Sequence, residues 1–227
     1  FIGDGRGGGS PCLRDQDKSM SILDEAISRH PVMPVLVIPD IKYAKPLAEA
    51  LFVGGLTVFE VTLRTSCAPD AIARMKRAYP QAIVGAGTVI NATDARVAKE
   101  AGADFVVSPG SSKALWQTCE ILNMPLLPGF QSVSEAMFLM SLGANIGKFF
   151  PAESAGGIGF VKSIQGPLPE WRICPTGGVS EKNSRDYLAL PNVPCVGGSW
   201  IAPISDIKLG LFSVILERAK IVSKFLD

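Results

Sequence analysis

A chain of 227 residues with a formal charge of +1, its acidic and basic residues mixed along the length, carries no electrostatic footprint for nucleic acid or an anionic membrane surface. That leaves a small molecule as the default partner. Hydrophobic residues make up 47%, enough for a sizeable core, yet no apolar run approaches the roughly 20 residues that a membrane-spanning helix needs. 

Residues 1–16, beginning FIGDGRGGGSPCLRD, are dense in glycine and read as a flexible leader or an expression remnant ahead of a single domain over 17–227. No signal-peptide or transit-like pattern is present there. A phosphate loop at Gly5 to Gly9 would need a strand before it and a helix after it, and the sequence offers neither.

From Asp17 a regular rhythm sets in, a short β-branched apolar run followed by a helix-period segment. A helix near 18–29 precedes VMPVLVI (32–38), and the helix after that strand stops at a glycine pair. TVFEVTL pairs with a helix near 68–78, AIVGAGT with 92–101, DFVVSPG with 112–122 and PLLPGF with 132–142. IGKFFPA is followed by a helix near 158–164, RICPTGG by one near 181–189, and PCVGGSW by a final helix. Eight strand–helix units with no composition break predict an α/β fold, a (β/α)8 TIM barrel with an N-terminal helix. An open doubly wound sheet is the alternative, but its Gly-x-Gly-x-x-Gly turn is missing after VMPVLVI.

Barrel active sites lie where the strands end, so the polar residues at those ends are the candidates: Glu60, Thr62, Arg64, Thr88, Ser108, Lys148, Thr176 and Ser199. In the second strand Phe59, Val61 and Leu63 form one face, while Glu60, Thr62 and Arg64 form the other. Glu60 is therefore either a working carboxylate or half of an internal ion pair with Arg64. Lys148 shares a face with Ile146 and Phe150 in an apolar strand. Burial disfavours an ammonium, and a neutral amine attacks carbonyls to form Schiff bases. The bland alternative is a core lysine paired with an inward carboxylate, for which Glu60 is available. Gly177 and Gly178, with Gly197, Gly198 and Ser199, fall on the seventh and eighth units, whose loops in such barrels often bind phosphate through backbone N–H groups.

Five cysteines, Cys12, Cys67, Cys119, Cys174 and Cys195, show no Cys-x-x-Cys pair and no neighbouring histidine, so free thiols in a reducing cytoplasm are expected rather than disulfides or zinc. His30, before Pro31, reads as a helix C-terminal residue, and Trp116, Trp171 and Trp200 as packing. No His and carboxylate cluster points to a metal.

EVTLRT (60–65), GAGT (85–88), SPG (108–110), PGF (128–130), KFFPAE (148–153), CPTGG (174–178) and GGSW (197–200), in that order, resemble the bacterial KDPG/KHG aldolases from about Asp17 onward. The resemblance implies a metal-independent, cofactor-free class I aldolase, a cytoplasmic homotrimer that cleaves 2-keto-4-hydroxy acids to pyruvate and an aldehyde. It implies Lys148 as the Schiff-base lysine and Glu60 as general acid/base, with Arg64 and Thr88 on the pyruvyl carboxylate. It also implies Phe150 packed on the substrate and Thr176 in stereochemical choice, with Gly177, Gly178, Gly198 and Ser199 receiving the distal phosphate. The expected reaction splits 2-keto-3-deoxy-6-phosphogluconate into pyruvate and glyceraldehyde 3-phosphate, with 4-hydroxy-2-oxoglutarate as a second substrate. TLRT and PAE resemble the gluconate-type branch rather than the phosphogalactonate one. Gly147, where many relatives carry a larger residue, and GFQSVSE (129–135) depart from the pattern. Two other classes fit the same barrel: an isomerase or epimerase using Glu60 without a covalent lysine, and a barrel that only binds a phosphorylated ligand.

Overall fold

The computed structural model describes residues 21–225. The expected leader, Cys12 and the first residues of the opening helix lie outside that range. Within it the strand–helix rhythm appears as α1 (Ile22–Arg29), β1 (Val32–Leu36), α2 (Ala44–Val53), β2 (Val58–Thr62), α3 (Ala68–Ala78), β3 (Ile83–Gly87) and α4 (Ala92–Glu100). It continues with β4 (Phe105–Val107), α5 (Lys113–Ile121), β5 (Leu126–Leu127), β6 (Gly129–Phe130), α6 (Val133–Ser141), β7 (Ile146–Phe149) and α7 (Gly157–Gln165). The remaining elements are β8 (Arg172–Pro175), α8 (Ser184–Leu188), β9 (Val196–Gly198), α9 (Ile204–Lys208) and α10 (Phe212–Val222).

Local chemistry sets these boundaries. Ser21, Asn91, Ser112 and Ser132 each accept a backbone N–H at the start of α1, α4, α5 and α6, and Glu135 completes a capping box at Ser132. The segment expected as one strand over 125–130 is two short ones, because Pro128 has no N–H to give the ladder; its carbonyl still accepts from Lys148 N at 2.8 Å. The expected final helix is likewise two, α9 and α10, parted at Gly210 with φ +69.

Every strand pairing is parallel. One sheet runs β5-β4-β3-β2-β1-β9 and a second runs β6-β7-β8. An isolated parallel bridge, Thr176 to Gly197, links the end of β8 to β9.

Alternation along the strands divides the core in two. Val58, Ile83, Phe105, Val107, Leu127, Ile146 and Cys174 meet in one inner cluster that draws on both sheets, and Leu23, Ala26 and Ile27 of α1 cover it at the end where the strands begin. The opposite strand faces, with Phe59, Val61, Val84, Val106 and Phe149, pack against the helices in a larger outer cluster. Burial of those large side chains contributes about 1.5–3 kcal/mol each before the entropy of ordering is charged. The inner cluster stops short of the C-terminal strand ends, and polar side chains take its place there.

Candidate active site

Lys148 and Glu60 are the charged pair at the centre of those ends. On β2, Glu60 follows Val58 on the inner face, and on β7, Lys148 follows Ile146, so period two brings both inward. They are 2% and 4% exposed, and Lys148 Nζ stands 3.2 Å from Glu60 Oε1 and 3.3 Å from Oε2. Two unpaired charges at this depth would each cost several kcal/mol, so the pairing is what permits their burial. Of the two ion pairs open to Glu60, the one with Lys148 forms and the one with Arg64 does not. Arg64, one turn of strand further on, is exposed and its Nε donates to Thr88 Oγ1 at 3.2 Å.

Glycines make the room. A Cβ on Gly87 would lie 2.0 Å from Glu60 Oε1, and one on Gly197 would lie 2.3 Å from Thr176 Oγ1. Thr88 has φ 61, a left-handed backbone that a β-branched residue adopts at a cost, and it turns the chain beneath Arg64. Thr62 donates to Leu36 O at 2.8 Å and serves the sheet rather than the site.

A cavity of about 190 Å³ opens over the lysine, bounded by Val35, Arg64, Phe150, Thr176, Val179 and Ser199 with the backbones of Gly177, Gly178 and Gly197. Lys148 Nζ lies 5.5 Å from the centre of the Phe150 ring, within cation–π range. Glu60 lies behind the lysine and does not line the cavity, nor do Thr88 and Gly198; a Cβ on Gly198 would strike the Trp200 ring at 2.2 Å. A neighbouring hollow of about 370 Å³ shares Val35, Arg64 and Ser199. A larger one of about 490 Å³, between Trp116 and Leu126, opens at the other end of the sheet, where β5 begins. It holds none of the residues gathered at Lys148.

Sequence reasoning missed Val35 and Val179. Val35 is paired in register with Glu60, a relationship that only the alignment of β1 with β2 reveals.

The turn after β8 has the geometry of an anion cradle. Gly177 and Gly178 have φ +96 and +79. The Thr176, Gly177 and Gly178 carbonyls are tied back to Ala152 N (2.8 Å), Glu153 N (3.1 Å) and Asn183 Nδ2 (3.4 Å). Among the described residues the N–H groups of Gly178, Val179 and Ser199 donate to no backbone carbonyl. Successive unpaired N–H groups in a left-handed turn form a nest that favours an anion.

Among the described residues no group of three or more His, Cys, Asp or Glu side chains could hold a metal ion, and no helix is long and apolar enough to cross a membrane. Cys67, Cys119, Cys174 and Cys195 are free thiols.

Fold and site together describe an α/β protein with a buried amine at a cavity, a carboxylate against the amine and a glycine turn bordering the same cavity. Residues 23–217 match the sequence model of the KDPG and KHG aldolases, and the chain belongs to that family, whose members are carbon–carbon lyases. It is 45% identical over 197 residues to the KHG/KDPG aldolase of Escherichia coli, which covers 87% of this chain and 92% of the relative. It is 48% identical over 200 residues to the 2-dehydro-3-deoxy-phosphogluconate aldolase of Zymomonas mobilis, covering 88% and 96%. Among solved structures it is similar to the KDPG aldolase of Legionella pneumophila with pyruvate captured as a covalent carbinolamine, with a TM-score of 0.86, 46% identity, and coverage of 88% of this chain and 97% of that one. The Zymomonas mobilis aldolase with 3-phosphoglycerate gives a TM-score of 0.85 at 45% identity, covering 91% and 97%.

Proposed function

We propose that this chain is a class I aldolase that cleaves 2-keto-3-deoxy-6-phosphogluconate to pyruvate and glyceraldehyde 3-phosphate, and 4-hydroxy-2-oxoglutarate to pyruvate and glyoxylate. The observation that carries the reading is the buried Lys148–Glu60 pair, 3.2 Å apart, with the lysine lining a cavity that also meets Arg64 and the Gly177–Gly178 turn.

Lys148 Nζ attacks the C2 ketone after passing a proton to Glu60, which lies within hydrogen-bond reach. The carbinolamine loses water to become an iminium. A base takes the C4 hydroxyl proton, the C3–C4 bond breaks, and its electron pair moves into the iminium, leaving an enamine and releasing the aldehyde. Protonation of the enamine at C3 and hydrolysis of the imine release pyruvate and regenerate the amine. Glu60 moves the protons of the amine and carbinolamine steps through water. The iminium is the electron sink, so the cycle balances with no oxidant, reductant or metal.

Arg64, held by Thr88, is suited to the pyruvyl carboxylate through its planar fork of donors. Phe150 packs on the substrate, Thr176 sits at the hydroxyl-bearing carbon, and Gly177, Gly178, Gly198 and Ser199 take the phosphate.

We read residues 17–227 as one domain and the two sheets as one closed (β/α)8 barrel. Chain continuity from β5 through Pro128 into β6, the Thr176–Gly197 bridge and the inner cluster common to both sheets support closure. A cytoplasmic homotrimer completes the reading, and the exposed apolar residues Ile90, Val133, Met137 and Phe138 offer a surface for assembly that light scattering would test.

The deciding experiment is incubation with pyruvate and borohydride, followed by intact mass and a peptide map. A reduced pyruvyl adduct on Lys148 supports class I chemistry; a folded protein that forms none under excess pyruvate overturns it.

A further inference from the structure

Glu153 and Tyr187 form a contact that the reaction above does not use. The Tyr187 hydroxyl, on a side chain with 0% exposure, donates to Glu153 Oε1. The two meet in a space kept open by Gly157, which has φ +56 and whose Cβ would lie 3.3 Å from Glu153 Oε1 and 3.4 Å from Tyr187 Oη. Burial and the neighbouring carboxylate both push the tyrosine proton's dissociation above its ordinary range, so the hydroxyl remains a donor.

Glu153 is also the residue that backs the nest. Its N–H holds the Gly177 carbonyl at 3.1 Å, and its Cβ and Cγ occupy the space in which a Gly178 side chain would begin, each 2.6 Å from an added Cβ. The residue thus touches the turn twice, by backbone and by stem, while its carboxylate is drawn off toward α8. An exposed carboxylate left free beside an anion nest would repel the anion and contend for the same N–H groups.

We propose that Tyr187 and Glu153 are positioning residues for the phosphate end of the substrate: the tyrosine anchors the carboxylate away from the Gly177–Gly178 turn, and the anchored glutamate holds that turn with its N–H groups presented to the cavity. This rests on the aldolase reading of the site. Neither residue touches the reacting atoms, so the pair acts on binding of phosphorylated substrates alone.

The test compares KM and kcat for 2-keto-3-deoxy-6-phosphogluconate and for 4-hydroxy-2-oxoglutarate, which lacks the phosphate, in wild type, Tyr187→Phe, Glu153→Ala and Glu153→Gln. Loss of a hydrogen bond to a charged group gives an expected rise of about ten- to a hundredfold in KM for the phosphorylated substrate in Tyr187→Phe and Glu153→Ala. Both kcat values and the KM for 4-hydroxy-2-oxoglutarate stay as they were. Glu153→Gln, which keeps the acceptor, restores most of the affinity, and the Tyr187→Phe/Glu153→Ala double variant loses no more than either single one. Where Tyr187→Phe fails to fold, Glu153→Ala, at an exposed position, gives the same comparison. Equal losses on both substrates, or none on either, would overturn the proposal and leave the phosphate site standing. A wild type that shows the same KM for both substrates and no competition by inorganic phosphate would remove the phosphate site itself, and the proposal with it.

Discussion

Lys148 Nζ touches both oxygens of Glu60, at 3.2 and 3.3 Å, across 88 residues of chain. Replacing the lysine by methionine removes the amine and leaves a carboxylate buried without its partner. Lys148→Met is expected to form no borohydride-reducible adduct with pyruvate, and to lose about 3–5 kcal/mol of stability. Glu60→Gln keeps the volume and should slow turnover by about 10²- to 10⁴-fold, the usual worth of a positioned acid or base, while some adduct still forms. Mass spectrometry, a pyruvate-release assay and urea melts check these outcomes. Normal turnover by a verified Lys148→Met protein would falsify the mechanism.

Ser199 borders the cavity and exposes its side chain beside the unpaired N–H groups. Ser199→Ala removes one neutral donor, so KM for the phosphorylated substrate should rise by about three- to tenfold. KM for 4-hydroxy-2-oxoglutarate should move less. A uniform change on both substrates would place the serine elsewhere in the binding mode.

Gly147 lies against two rings: an added Cβ would be 2.5 Å from Trp171 Cζ2 and 2.7 Å from Phe130 Cδ1. Those rings pack edge-on with centroids 5.5 Å apart. Gly147→Ala is expected to cost about 1–3 kcal/mol by overpacking and, through the adjoining Lys148, to lower the rate of adduct formation. Wild-type melting and trapping rates in this variant would show that the rings have room to yield.

Acid should weaken the fold through His30. Its Nε2 accepts the Thr57 N–H at 3.0 Å, and burial, aided by Arg29, holds its pKa at about 4 against an ordinary value of 6.5. Above pH 6.5 the ring is neutral folded or unfolded, and the stability is fully present. As pH falls from 6.5 toward 4 only the unfolded chain takes up the proton, so stability is lost across that window. The ring is only half-buried, and solvent screening reduces the loss to about 1–2 kcal/mol. Urea midpoints of wild type and His30→Gln between pH 7.5 and 4.5 should converge on acidification; parallel curves would remove His30 from the account.

Alkylation should single out Cys67 among the described cysteines. Burial raises Cys119 to about 11, and Cys195, donating to Cys174 and fully buried, stands well above the usual thiol range. Cys174 is held below its ordinary value by that same hydrogen bond but is 1% exposed, whereas Cys67 is half-buried. A peptide map after brief iodoacetamide treatment reads the order.

Much of this was legible in the chain. Period two in FEVTL set Glu60 opposite the apolar face, and in IGKFF set Lys148 in line with Ile146 and Phe150. The choice between barrel interior and helix layer for that line needed the packed strands, because a parallel strand covered on both sides sends alternate residues to opposite layers. Repeated strand–helix units gave the parallel pairing. Partner choice was less visible, since the Glu60–Lys148 contact, rather than Glu60–Arg64, depends on which strand ends converge. The break at Pro128 was masked by the apolar run around it. Gly87, Gly147 and Gly197 could not be understood from their own neighbours, for each is small because a side chain from another strand needs its volume. Val35 escaped attention because an apolar residue in an apolar strand carries no mark of a cavity.

The division of the strands between two sheets has a consequence for folding. Glu60 belongs to the six-stranded sheet and Lys148 to the three-stranded one. A partly folded state with one sheet alone would leave that sheet's inner face, and its charge, in water, because the inner cluster is closed only by residues of both sheets. Desolvation and pairing of the two charges therefore arrive in the same step, when the sheets meet. The pair thus couples early and late segments of the chain, since neither charge is buried until both segments are in place.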